Sequence, residues 1–329
     1  MEFAELARIN GAFIESRILE TAVALGIFDA LKDGPVTSTV VATRLATDRR
    51  ATGLLMNALV AMGLLVKEQG RFGLAPVAEE YLLSDAPRSF AGMILFDAAL
   101  WDGWARLSEA VRSGRPVRQP NMFQDDSQET ERFVRAMHSL VMARGDADVL
   151  ADALELERVG RLLDIGSGPA TYPIQFCLKH PQLRVTVFDL PGTLAVTRQF
   201  VSAAACRDRI ELAAGDFTRD PLPAGFDLVF LSNIIHGEDE AANQRLMHNV
   251  AAALQSGRRI VIKDHILDVD LTSPAVGAIF SIQMLLFTRG RDYGFEEVQE
   301  WLRRAGFSDI IQRRLEPPLT SSLVTAVKA

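Results

Sequence analysis

The sequence predicts an α/β protein: a doubly wound, mostly parallel sheet in the second half, preceded by an all-helical winged-helix-like module. Three observations carry this. From Val159 onward, short apolar runs alternate with helical stretches, the pattern of βαβ units. Residues 37–74 read as helix, turn, helix and hairpin. The chain has 329 residues, twice the ~150 typical of one domain, so two domains are expected.

Taken in order, Phe3, Leu6, Phe13, Ile14 and Ile18 fall near helical spacing, so residues 3 to about 31 form an amphipathic helix that needs a partner. Thr37 to Leu45 is a short helix. Asp48 is the N-cap of a second one that runs through Leu54, Leu55, Leu59 and Met62 and is closed by Gly63. Leu64 to Lys67 and Arg71 to Leu74 make the hairpin. Residues 1–100 are thus assigned to a winged-helix-like dimerisation domain. A helical linker follows over 101–155, with one stripe of Trp101, Trp104 and Leu107 and another of Phe133, Met137 and Leu140. In 156–329 the strands are Arg161 to Ile165, Arg184 to Phe188, Ile210 to Ala213, Phe226 to Leu231 and Arg259 to Ile262. Two late segments, Gly306 to Leu315 and Ser321 to Lys328, add edge strands, one of them antiparallel.

Composition removes several function classes. Lys plus Arg number 35 against 42 Asp plus Glu, a net charge of -7, which disfavours nucleic acid and anionic membrane as partners. The winged-helix module carries 9 basic against 12 acidic residues, so dimerisation is the better reading than DNA binding. Two cysteines, Cys177 and Cys206, suffice for neither a disulfide framework nor a zinc set, and no targeting or spanning segment is expected, which places the protein in the cytoplasm.

The chemistry gathers at strand ends. Asp164-Ile165-Gly166-Ser167-Gly168-Pro169-Ala170 follows a buried strand and precedes a helix, with Pro169 suited to its first turn. A dinucleotide fingerprint would want Gly or Ala where Thr171 stands, and Asp164 would repel a pyrophosphate while attracting an ammonium or sulfonium. Asp189, about 20 residues on, can hold a ribose diol, and Asp216 an adenine amino group that Phe217 covers. The fourth strand ends at Ser232, and His236 follows in the loop. Side-chain alternation makes Asp264, rather than His265, the partner of His236, and a base held by a carboxylate suits proton abstraction. A metal site from His236, Asp264 and Asp239 is the lesser alternative, and no metal is expected.

In order and spacing, Asp164 to Gly168, Phe188 to Pro191, Gly215 to Phe217, Ser232 to His236, Asp264 and Gly290-Arg291-Asp292-Tyr293 resemble class I S-adenosylmethionine-dependent methyltransferases. The subgroup is the small-molecule O-methyltransferases of the caffeate and acetylserotonin type, including bacterial members of secondary metabolism. The resemblance implies a Rossmann-like catalytic domain, S-adenosylmethionine as cofactor and a homodimer built through the amino-terminal domain. It implies that Asp164, Gly166 and Gly168 hold the methionine end, Asp189 and Leu190 the ribose, Asp216 and Phe217 the adenine, with Ser232 a further cofactor contact. It makes His236 the general base, Asp264 its orienting acid and Asp292 a second acid, with Phe133, Met137 and Met284 lining the acceptor pocket. This chain departs from many relatives at Gly237-Glu238, where they carry Asp and Trp, at Ala170, which ends the glycine loop, and in the shorter acid Asp264.

The reaction expected is transfer of a methyl group to a hydroxyl of a small aromatic or polyketide-like acceptor. The alternatives are C-methylation of a tetrapyrrole or quinone-like acceptor, and a winged-helix regulator that only senses the cofactor.

Overall fold

The computed structural model describes residues 1–316 and 319–329. The chain divides into two compact units, Met1–Trp101 with Arg135–Ala143, and Asp102–Val134 with Arg144–Ala329.

In the first unit α1 (Phe3–Leu25) stops earlier than its apolar pattern suggested. Gly26 takes φ 77° and turns its N–H back to the carbonyls of Ala22 and Val23, so Asp29–Leu31 forms a separate 3-10 turn. α2 (Ser38–Arg44) and α3 (Arg49–Ala61) follow, and Asp48 caps α3 by accepting the Ala51 N–H at 2.8 Å. β1 (Leu65–Glu68) and β2 (Arg71–Leu74) then pair antiparallel, so the module is helical apart from this wing. Both residues of the turn, Gln69 and Gly70, have positive φ, the geometry that matches strand twist in a two-residue hairpin. α4 (Pro76–Tyr81) and α5 (Ala91–Ala99) complete the unit's short helices. Ile27, Phe28, Leu31, Met56, Leu59 and Phe72 form its buried core, whereas Phe3, Leu6, Phe13 and Ile14 on α1 are exposed.

Between the hairpin domain and the sheet the chain forms α6 (Trp101–Ala105), α7 (Leu107–Ser113), α8 (Ser127–Arg144) and α9 (Asp146–Ala153). The expected Trp101, Trp104 and Leu107 stripe is therefore split between two short helices.

The second unit is organised by seven strands: β3 (Arg161–Ile165), β4 (Arg184–Asp189), β5 (Ile210–Ala214), β6 (Phe226–Ser232), β7 (Leu254–Asp264), then β10 (Phe307–Arg314) and β11 (Ser322–Lys328). A small parallel pair, β8 (Ile266–Leu267) with β9 (Tyr293–Gly294), lies apart from it. The sheet order is β10-β11-β7-β6-β3-β4-β5. β3 to β7 are parallel, and β11 runs antiparallel between β7 and β10, so β11 is an interior strand rather than the edge strand expected for it. Helices α10 (Thr171–Lys179), α11 (Pro191–Ala203), α12 (Glu240–Ala253), α13 (Ala275–Phe287) and α14 (Phe295–Arg304) connect the strands. Leu163, Val229, Leu231, Ile260, Ile262, Met247 and Trp301 pack into one buried cluster. Near-continuous burial along β3, β4 and β6 is what a parallel sheet covered on both faces requires.

The chain leaves β3 toward β4 on one side and returns through β6 on the other, which makes the gap between β3 and β6 the switch point where such sheets bind ligands. The loop there corrects one expectation. α10 begins at Thr171 with Ala170 as its N-cap, so Pro169 lies outside the helix, and Pro173 is the first-turn proline whose missing N–H costs nothing.

Replacing Asp48 by Ala removes the only side-chain cap of α3 and should destabilise the protein by about 1 kcal/mol. Urea unfolding measures this, and an unchanged midpoint would show that the cap is silent.

Candidate active site

Three acids stand on or just beyond neighbouring strands at the carboxyl edge. Asp164 is the penultimate residue of β3 and almost fully buried. One of its oxygens accepts the Ser167 hydroxyl at 2.5 Å, and the other, Oδ1, has no partner among the described residues. Burial pushes its pKa up to about 8, opposed by the Ser167 hydrogen bond and reinforced by Asp189. Asp189 ends β4 and accepts two backbone N–H groups, from Gly168 at 2.8 Å and from Leu190 at 2.7 Å. Burial raises it to about 6 against those bonds. It thereby ties the glycine loop of β3 to the start of α11 and keeps lone pairs to spare. Asp216, beyond β5, accepts the Thr218 N–H and hydroxyl at 2.9 and 2.6 Å, a local turn that leaves its other oxygen 3.6 Å from Arg219.

The glycines fit a backbone-hugging ligand. Gly166 has φ 68°, and a Cβ there would sit 2.3 Å from Cδ1 of Ile234, with the Phe217 ring also alongside. Gly168 has φ 60° and opens onto free space. An unpartnered buried carboxyl oxygen beside open, left-handed glycine backbone suits a ligand that brings its own donors or positive charge.

His236 lies in a 3-10 turn, Ile235–Gly237, just past β6. Its Nδ1 is 2.7 Å from Oδ1 of Asp264, the last residue of the adjacent β7. Asp264 is fully buried, and the same oxygen accepts the backbone N–H of His265 at 2.8 Å. With Nδ1–H donated to the carboxylate, Nε2 carries the free lone pair. Burial alone would lower the His236 pKa, but Asp264 and then Asp292 outweigh it and raise it. Asp264 is lowered because the pull of His236, and of His265 behind it, exceeds the cost of burial. Ligand atoms of His236, Asp264 and Asp292 all fall within 4.8 Å of one another. Asp239, the third member of the alternative metal set, instead caps α12 through the Ala242 N–H.

The His236 loop is fixed from several sides. Asn243 of α12 donates to the carbonyls of Ile235 and Glu238 at 2.8 and 3.2 Å, and Tyr293 donates to Glu238 at 2.7 Å. Gly290 presses on the same backbone: a Cβ there would be 2.3 Å from the His236 carbonyl oxygen. Phe280 of α13 stands edge-on to both imidazoles, 5.1 Å from His236 and 5.2 Å from His265.

Of the residues the sequence singles out, Asp164, Gly166, Gly168, Asp189, Leu190, Asp216, Phe217, Ser232, His236, Asp264 and Asp292 all lie within the second unit. Phe133, stacked on Phe123 at 4.8 Å, and the buried Met284 belong to that unit as well. Met137 is half-buried in the first unit. Several residues escaped sequence reasoning. Strand alternation turns His265 away from the site, yet its Nδ1 is 3.3 Å from Asp292, because the strand ends at Asp264 and alternation no longer applies. Lys263 does carry a sequence signal: a lysine that directly continues the apolar run Ile260-Val261-Ile262 of a buried strand is out of place unless paired. Asp146 and Asn233 carry no such signal.

This arrangement is that of an α/β enzyme fold with buried acids at the switch-point edge of its sheet and a carboxylate-held imidazole just past a neighbouring strand. Comparison with known proteins agrees. Residues 104–308 match the O-methyltransferase domain and residues 7–84 the O-methyltransferase dimerisation domain. The chain is 35% identical to the 3-hydroxy-5-methyl-1-naphthoate 3-O-methyltransferase of Streptomyces sahachiroi, over 96% of this chain and 92% of the relative. It is 29% identical to the tetracenomycin polyketide synthesis 8-O-methyl transferase of Streptomyces glaucescens, over 97% and 95% of the two chains. Human N-acetylserotonin methyltransferase, solved in complex with S-adenosylmethionine, shares the fold with a TM-score of 0.90 at 24% identity, covering 100% of this chain and 99% of that one. The chain belongs to the S-adenosylmethionine-dependent O-methyltransferase family and carries its dimerisation domain. Nothing in these relationships favours a cofactor-sensing regulator or C-methylation. Among the described residues no helix is long and apolar enough to cross a membrane.

Two outcomes are expected. Gly290→Ala displaces the His236 backbone and should lower turnover by about 10²-fold with cofactor affinity unchanged, as separate kinetic and calorimetric measurements would show. If Asp164 must be ionised to receive a cationic ligand, S-adenosylmethionine should bind more tightly as pH rises toward about 8, by up to tenfold per unit. Asp164→Asn should flatten that dependence, and a slope that survives in the variant would exonerate Asp164.

Proposed function

We propose that this O-methyltransferase methylates a phenolic or enolic hydroxyl of a small aromatic or polyketide-like acceptor in secondary metabolism, with His236 as general base. The 2.7 Å contact between His236 Nδ1 and Asp264 carries the reading. The two Streptomyces relatives support it by their names, which give a naphthoate in one case and tetracenomycin polyketide synthesis in the other.

Asp164, Gly166, Gly168, Asp189, Leu190, Asp216, Phe217 and Ser232 would hold S-adenosylmethionine. When bound, that cofactor supplies an electrophilic methyl group. His236 Nε2 accepts the acceptor's hydroxyl proton, and the Asp264 carboxylate stabilises the imidazolium that results. An ordinary phenol near pKa 10 and an imidazole near 6.5 differ by ~3.5 units, about 5 kcal/mol uphill. Asp264 and Asp292 narrow that gap by raising His236. Holding the oxygen in near-attack geometry contributes more, about 7 to 11 kcal/mol. Asp292 would orient the acceptor from beside the base, and Phe133 and Met284 would supply apolar lining.

The active form would be a cytoplasmic homodimer joined through residues 1–100, in which the exposed Phe3, Leu6, Phe13 and Ile14 of α1 find their cover in a second copy. Residues 101–155 would contribute acceptor-pocket side chains and residues 156–329 the cofactor site.

His236→Ala should reduce turnover by ~10² to 10⁴ with cofactor affinity nearly unchanged. Since the neutral imidazole is the base, turnover should fall as pH drops through the raised His236 pKa and level off above it. A panel of hydroxylated naphthoates and anthracyclic phenols with labelled methyl tests the acceptor class, and full turnover by His236→Ala would sink the base assignment.

A further inference from the structure

Lys263 is fully buried at the end of β7. Its ammonium lies 2.9 Å from Oδ1 of Asn233, 3.3 Å from Oδ2 of Asp146 and 5.4 Å from the centre of the Tyr172 ring. Tyr172 donates its hydroxyl to the same Asp146 oxygen at 2.9 Å. A buried ammonium is costly, and one placed next to the acid that holds a base calls for a reason beyond stability, since an apolar residue would pack there at less cost.

The reason lies in what Lys263 grips. Asn233 is the first residue past β6 and takes φ 60°, the left-handed conformation that turns the chain toward His236. Its backbone N–H donates to the Lys263 carbonyl at 2.8 Å while its side-chain oxygen accepts from the Lys263 ammonium. Asp264, the next residue, binds the His236 ring. Two consecutive residues of β7 thus hold the two ends of the tetrapeptide Asn233-Ile234-Ile235-His236.

We infer that Lys263 is a positioning residue for His236: it clamps the start of the turn whose end Asp264 holds. The inference rests on the reading of His236 as the base.

Lys263→Met alone would strand Asp146 as an unpaired buried charge and endanger folding. The informative variant is therefore Lys263→Met with Asp146→Asn, which is neutral and still accepts from Tyr172. In the double variant kcat should fall about tenfold while the KM for cofactor stays unchanged, a split that a general loss of fold would not give. Asn233→Gly, which tolerates the left-handed backbone but lacks the gripped oxygen, should lower kcat in the same way. A kcat at the parent level in both variants overturns the inference. Full turnover by His236→Ala would instead remove His236 as the base, whatever the clamp variants show.

Discussion

The hydrogen bond between His236 and Asp264 is the constraint on which the rest of the site depends. It joins the end of β6 to the end of β7, 28 residues apart in the chain but adjacent and parallel in the sheet. Because parallel neighbours end on the same edge, the loop after one strand lies beside the last residue of the next. A fully buried carboxylate such as Asp264 survives only with partners, and it has two: the imidazole and the His265 amide.

The same edge concentrates buried charge. Asp146, Asp164, Asp189, Lys263, Asp264, His265 and Asp292 are all buried there. Each such group would cost several kcal/mol if isolated. The structure divides them into tasks. Asp146 and Lys263 neutralise each other, Asp189 ties the glycine loop through two backbone N–H groups, and Ser281 donates to Asp292 at 3.1 Å. Asp164, Asp264 and Asp292 each keep one oxygen without a hydrogen bond among the described residues, and that of Asp292 lies 3.3 Å from the His265 ring nitrogen. The apolar sandwich beneath, with Trp301, Phe230 and Phe176 fully buried, supplies the stability that such an arrangement draws on.

Backbone shape matters as much as charge. Gly166 takes φ 68°, a conformation that strains any other side chain, and a Cβ on Gly290 would run into the backbone of His236 and Glu238, so the loop after β3 and the His236 loop each depend on a glycine. Ala170 keeps a left-handed φ of 59° at the start of α10, where a glycine would be less strained, and nothing in the structure explains that choice.

Much of this was legible in the sequence. Local patterns settle the strands, because apolar runs of five or six residues between turn residues have few other fates, and Asp164, Asp189 and Asp216 follow as loop acids at strand ends. The pairing of His236 with Asp264 was legible too, since parallel order brings successive strand ends together. The sequence left other things open, for identifiable reasons. Strand alternation predicts a direction for His265 only while the strand lasts, and β7 stops one residue earlier. The place of β11 between β7 and β10 depends on which edge is open, a property of the whole sheet. Asp146 becomes a partner of Lys263 only when α9 packs beside the end of β7, 117 residues later in the chain. Composition and periodicity thus determined the elements and the residue types at their ends, while tertiary packing alone decided which buried charges meet, because a charge acquires its meaning from a neighbour that the linear chain does not name.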